Sequence, residues 1–531
     1  MSYPPALPSY SPVPPRRRHT WLVVLVAVVT AAVVATVLWL VVRSNDSSTA
    51  WPTARPSSVP ATATTETADS SVPPCDEQTE DPKTGPITGE ASLGDPYLCW
   101  AGGAGYDALS YDVKVSVEPD TAQITGHADV VVRLTDDVDA VHLDLLLAAS
   151  AVTVDGTPAR FTQDGLDLAV PTSAAAGDQV TIGVDYAGVP QMPSEFGDAV
   201  LRKGAEIVLA DEPAGPVTWM PLNSHPSDPA MFRTEVSVPQ GVEAISVGRL
   251  VSNGPDPDAP GRDLWVWAPD EPVVSYAIML AVGQYVLDGP RDVTVGGKTV
   301  QYVAAAPASG DTAQTLEWLS HSIDAADALT DFAGEYPFTS LGGMVPPMAT
   351  NWGALETHGR PIYDPSVYRY RMDDVLTHEL SHFWFGDTVT LERWDDIVLN
   401  EGMATYCEYQ ADITGGNMTP QQSLDSVYNG YGYDRSFWDQ KLSDPGPGLD
   451  TFSEKVYAGG GAAIAALRNR MGDDAFFAFV RAWAAQDGPH SLEEFRAMAQ
   501  EYSPTDVSGL LAAWFDGTER PAKTAENGLG G

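Results

Sequence analysis

The chain has 531 residues, with 29 Lys and Arg against 72 Asp and Glu and a net charge of −43. A surface this acidic repels phosphate backbones, so nucleic acid is set aside as a partner. The same charge favours solubility, tolerance of salt and an affinity for cationic peptides.

The first nineteen residues are Pro-rich and end in Arg16-Arg17-Arg18-His19. Trp21 to Val42 follows as an apolar run, with only Thr30 and Thr36 as mildly polar breaks. At about 1.5 Å per residue it reaches roughly 33 Å, enough to cross a bilayer. With the basic cluster ahead of it, residues 20–43 are expected to be a transmembrane helix. The N-terminus would stay in the cytoplasm and the rest would lie outside the cell membrane. The competing expectation is a signal peptide cut near Ser48-Thr49-Ala50, whose apolar core is usually only about 7–15 residues. Residues 44–88 are rich in Ser, Thr, Pro and Ala without apolar periodicity, and read as a disordered tether. Cys75 and Cys99 flank the entry to the folded part and, outside the membrane, are expected to pair. Cys407 is left over and reads as a small buried hydrophobe.

From Tyr106 to Val303 the pattern alternates, as in Tyr111-Asp112-Val113-Lys114-Val115-Ser116-Val117. Asp155-Gly156 and Asp164-Gly165 supply turns. Residues 89–304 are therefore expected to form an antiparallel β domain. From about residue 305 the period becomes helical. Thr315, Leu316, Leu319, Ile323, Ala326 and Leu329 lie on one stripe. A helix is expected over Met372–Phe385, with Asp373 and Asp374 suited to its positive end. Another opens at Glu401, and further apolar stripes follow Ala462. Residues 305–525 make this second domain and 526–531 a tail.

The chemistry concentrates in His378-Glu379-Leu380-Ser381-His382. Spacing by four puts His378 and His382 on one helical face, where both can hold one metal. Glu401, nineteen residues after His382, can supply a third ligand. Two His, one Glu and an open position form the ligand set of catalytic zinc, one ion per chain. Glu379, between the two His, is placed to act as base and then as acid.

These motifs resemble peptidase family M1, the aminopeptidase N family of zinc metallopeptidases. The matches are H-E-x-x-H with its downstream Glu, Trp384-Phe385-Gly386-Asp387, Leu399-Asn400-Glu401-Gly402, and Gly353-Ala354-Leu355-Glu356-Thr357 followed by Arg360-Pro361-Ile362-Tyr363. Val456-Tyr457 heads a match to the family's Y-x-K-G. The resemblance implies a saddle-like β domain followed by a thermolysin-like, mainly helical zinc domain. It implies that Glu356 binds the substrate's free amine, that the backbone of Gly353 and Ala354 pairs with a peptide, and that Tyr457 stabilises the oxyanion. The implied function is a membrane-anchored, extracytoplasmic zinc aminopeptidase acting on peptides. A zinc endopeptidase with the same site and an inactive surface binding protein remain alternatives. Three positions depart from the family pattern: Thr357 stands for Asn, Gly459 for Lys, and the family's amine-anchoring Gln is not recognisable. Leu222 to Asp228 falls where the family has a loop near the site.

Overall fold

Alternation decides the first half of the molecule. The computed structural model describes residues 92–192 and 199–530. Trp21–Val42, the tether and Cys75 lie outside the described residues, and with them the expected anchor and the Cys75–Cys99 pair. Among the described residues no helix is long and apolar enough to cross a membrane.

Strand Gln123–Leu134 buries every second residue, placing Ile124, Ala128, Val130 and Val132 in the core. That is what period-two patterning produces when one face meets a core. Eight strands form the largest sheet. Its centre pairs Tyr106–Glu118 with Gln123–Leu134 antiparallel and with Met231–Pro239 parallel. A four-stranded sheet follows, in which Glu206–Leu209 lies between Val200–Lys203 and Leu280–Gly283. The chain leaves Leu209 through Ala210 into Asp211 and Glu212.

A five-stranded sheet joins the two halves. The hairpin of Tyr285–Val295 and Lys298–Pro307 pairs in parallel with Ser340–Met344. The boundary expected at 304/305 thus falls inside a strand whose sheet belongs to the second half, because alternation does not say which sheet a strand joins. Ala354–Leu355 is the far edge of this sheet. Gly353, at φ +87, turns the chain onto that edge. Arg360 fastens the arrangement. It is fully buried, and its guanidinium donates to the carbonyls of Val303 (3.0 Å), Gly248 (3.1 Å) and Ser246 while lying over the Trp267 ring. Its planar fork of donors suits several fixed carbonyls at once.

The second half is mainly helical. The stripe expected over 315–329 is split into Thr312–Leu319 and His321–Ala333, with Ser320 ending the first. Helix α1 spans Asp373–Ser381, and His382 is its cap. It stops short of Phe385 because Asp387 N–H returns to the His382 carbonyl and Gly386 takes φ +143. Helix α2 spans Val398–Thr414, with Glu401 in its first turn. Helix α3 spans Gly460–Met471 and is entered through a π-turn, Lys455–Gly459. Cys407 is buried on α2, and burial pushes its thiol up to about 12.

Candidate active site

Helices α1 and α2 bring together the three side chains expected to hold the metal. A ligand atom from each of His378, His382 and Glu401 lies within 4.8 Å of the others, and all three residues are buried. Glu401 Oε2 is 3.2 Å from His378 Nε2 and 3.6 Å from His382 Nε2. Zinc bonds of about 2.05 Å at tetrahedral angles would set ligands about 3.3 Å apart, so the donor set fits zinc.

The other ring nitrogens are committed. His378 Nδ1–H donates to Glu408 Oε1 at 2.6 Å, and His382 Nδ1–H donates to the Phe385 carbonyl at 3.1 Å. Both bonds leave Nε2 as the ring atom that faces Glu401. Glu408 is a functional position that the sequence did not single out. It lies seven residues after Glu401, two turns along the same face of α2.

Glycines set how closely the helices approach. A Cβ on Gly460 would lie 2.7 Å from the Gly402 Cα, and one on Gly402 would lie 3.1 Å from the Gly460 Cα. The close crossing of α2 and α3 carries Tyr457 to the metal ligands. Its ring stacks on His378 at 5.9 Å and 20°, and its hydroxyl hydrogen-bonds the Glu401 carboxylate. Gly459 also has a packing reason. A Cβ there would lie 2.7 Å from Lys455 Cδ. Lys455 is buried, with Nζ 4.5 Å above the Trp438 ring and 5.2 Å above Phe437. The cation missing at 459 is thus present one turn earlier, on an aromatic floor. Burial lowers its ammonium to about 8.

Carboxylates crowd the opposite wall. Glu356, Glu379 and His382 form a second group within 4.8 Å, and Glu212, Glu356 and Glu401 a third. Glu212 is the other residue that sequence reasoning missed. It comes from the loop after Glu206–Leu209, more than a hundred residues before the metal helices, and only the packing of the two halves reveals it. Burial pushes the carboxyls of Glu212 and Glu379 well above the usual range, with neighbouring carboxylates adding to it. Burial also raises Glu356. Glu401 is held low, because His382 and His378 outweigh its burial. Among the described residues, Glu212 Oε1 and Glu356 Oε1 are buried without a hydrogen-bond partner. Two buried carboxyl oxygens left without a donor are costly unless a cation pairs with them.

The remaining expected positions have hydrogen-bond partners of their own. The Thr357 hydroxyl donates to the Arg360 carbonyl at 2.7 Å and so closes a turn. The segment 222–228 is tied to the N-terminal stretch: Asn223 Oδ1 accepts from Gly103 N–H, Asp228 from Ala108 N–H, and His225 faces Asp95.

Comparison with known proteins agrees with this geometry. Residues 330–514 match the peptidase family M1 domain. The chain is 26% identical over 321 residues to an aminopeptidase N of Streptomyces lividans, covering 54% of this chain and 35% of the relative. It is 24% identical to a leucyl aminopeptidase of Saccharolobus solfataricus, covering 57% and 38%. A leukotriene A-4 hydrolase of Xenopus laevis is 23% identical, covering 56% and 50%. The chain thus spans about a third to a half of the length of these relatives. The crystal structure of an M1 zinc metallopeptidase from Deinococcus radiodurans superposes with a TM-score of 0.72 at 26% identity, covering 81% of this chain and 98% of that one. A mutant of that enzyme bound to a Tyr-Ser-Ala substrate superposes equally well. The fold and the metal site are similar to those of zinc metallopeptidases, and the match to peptidase family M1 lies in residues 330–514.

Proposed function

We propose that the protein is a zinc aminopeptidase that removes single residues from the N-terminus of peptides. The observation that carries this is that Glu212 and Glu356 each have a buried oxygen without a hydrogen-bond partner and each bring a carboxylate oxygen within 4.8 Å of a ligand atom of Glu401. A protonated α-amine supplies the donors these oxygens lack, and it fixes the scissile bond one residue from the metal. Glu212 takes the place of the unrecognised Gln.

His378, His382 and Glu401 would hold zinc, which would supply a Lewis acid. Glu379 holds and moves the proton. Its raised carboxyl, pushed up by burial, suits a group that accepts a proton and returns it to the leaving amine. The Tyr457 hydroxyl donates to the substrate oxygen on which negative charge develops. The free edge of Ala354–Leu355 receives the substrate backbone as an added strand, with Gly353 at its start.

We further propose that Trp21–Val42 anchors the protein in the cell membrane with this site outside, and that Cys75 pairs with Cys99 there. Support comes from the length of the apolar run and the three Arg before it.

The amine reading is tested with Glu212→Gln and Glu356→Gln in the full chain. Each should lower kcat/KM for an unblocked peptide by about 100-fold, the scale of losing a charged partner, while bound zinc stays at one per chain. Unchanged kcat/KM in both would remove the amine-binding role.

A further inference from the structure

The proposed chemistry leaves a buried cation unused. Lys455 is 2% exposed, and no neighbouring carboxylate among the described residues offsets its burial. A buried charge without a counter-ion is costly, and an apolar side chain would fill the same space without that cost. The position therefore calls for something that only a cation supplies.

Its seat is built from aromatic faces. The two rings beneath Nζ, Phe437 and Trp438, are buried and lie on the helical turn Arg435–Asp439. Phe437 stacks on Tyr431 at 4.0 Å and 8°. Trp438 Nε1–H donates to the Tyr431 carbonyl at 2.8 Å, and its ring packs on Trp514 at 6.1 Å. The Tyr431 hydroxyl donates to Glu454 Oε1 at 2.5 Å, and the Ser453 hydroxyl donates to Gln440 Oε1 at 2.7 Å. Three consecutive residues, Ser453, Glu454 and Lys455, thus fasten the entry of the π-turn to the segment 431–440. The seat closes only around glycine at 459, because a Cβ there would lie 3.3 Å from Phe437 Cζ as well as against Lys455.

The π-turn has its own need of support. It holds one residue more than the α-turn it replaces, and such turns are rare. The Gly460 N–H that closes it returns to the Lys455 carbonyl, so the residue on the aromatic seat is also the one at which the turn begins. Relaxation to an α-turn would rotate the segment before Gly460 by about 100°, the angle of one helical residue. That rotation would take the Tyr457 ring off His378 and its hydroxyl off Glu401. A desolvated ammonium over Trp is at the strong end of cation–π attraction and resists such a movement. We infer that Lys455, seated on Trp438 and Phe437, is a positioning residue that fixes the π-turn and thereby aims the Tyr457 hydroxyl at the metal site. Its effect on turnover rests on the aminopeptidase reading, whereas its effect on the position of Tyr457 does not.

The test uses the full-length, zinc-loaded protein and Lys455→Met, which keeps an unbranched stem and removes the charge. With an unblocked peptide, kcat should fall about tenfold or more, part of the loss expected for an oxyanion donor, while KM stays within about twofold. In a Tyr457→Phe background the same substitution should cost less than about twofold, because the hydroxyl that it aims is already gone. Unchanged kcat in Lys455→Met would overturn the inference. So would an equal fold-loss in both backgrounds, which would mean that Lys455 supports the fold and not Tyr457. If Lys455→Met does not fold, Trp438→Phe replaces it in the same comparison, with a loss of about threefold expected in the presence of the Tyr457 hydroxyl and none in its absence. If the unaltered protein cleaves no peptide, the aminopeptidase reading fails, and the structure of the variant decides alone. A Tyr457 ring moved off His378 would support the positioning role, and an unmoved ring would overturn it.

Discussion

Glu379 and Glu408 are both carboxylates beside His378, yet they predict different failures. Glu379 faces the reacting side, in the group with Glu356 and His382. Glu379→Gln should lower turnover by about 10³-fold or more while zinc remains bound, and normal turnover would dismiss its role as base. Glu408 touches only the far nitrogen of His378. Glu408→Gln should weaken zinc binding by about 10–100-fold, read by competition with a chelator, because the imidazole loses its orienting acceptor. Unchanged affinity would mean that α1 alone orients the ring. Spacing along a helix made His378 and His382 legible in the sequence. Glu408 has the same kind of spacing signal from Glu401, but it is one of 72 acidic residues and no motif marks it. Glu212 has no local signal, since its partners lie on the other half of the molecule.

The crossing of α2 and α3 is the element on which Tyr457 depends. Gly402 and Gly460 face each other across it with no room for a side chain. Gly460→Val should destabilise the protein by about 1–3 kcal/mol through overpacking, and it should lower kcat more than it raises KM by withdrawing Tyr457. A variant of normal kcat and stability would show that the crossing can widen without effect. The sequence displayed Gly459-Gly460-Gly461 but not its purpose, because close approach between helices is a relation between two segments. The strands were more legible. Burial on one side imposes a period of two, so Gln123–Leu134 could be read directly. Sheet membership was not legible, and Lys298–Pro307 joined the second half.

At the scale of the whole molecule, charge is the dominant property. Burial raises the carboxyls of Asp144 and Asp228 to about 7 and that of Asp396 to about 6. A carboxyl raised above its unfolded value of about 4 means that the folded state binds more protons between those limits. Its contribution to stability is full below about pH 4 and is lost as pH rises through the folded value. Acidification also reduces the self-repulsion of a chain carrying −43. Both effects have one sign, so the Tm of zinc-stripped protein should be higher at pH 5.5 than at pH 8. Added salt at pH 8 should recover part of the difference by screening. A Tm that falls on acidification across this window would show that these carboxyls stay ionised in the folded protein.

In the proposed function, one metal site and one amine site act on the same peptide. The most direct measurement follows, by mass, a matched pair of peptides incubated with the full-length protein, one with a free N-terminus and one acetylated, with and without a zinc chelator. The expected result is stepwise loss of single residues from the free peptide alone, abolished by the chelator. Internal cleavage of both peptides would contradict it, because Glu212 and Glu356 would then be binding no amine.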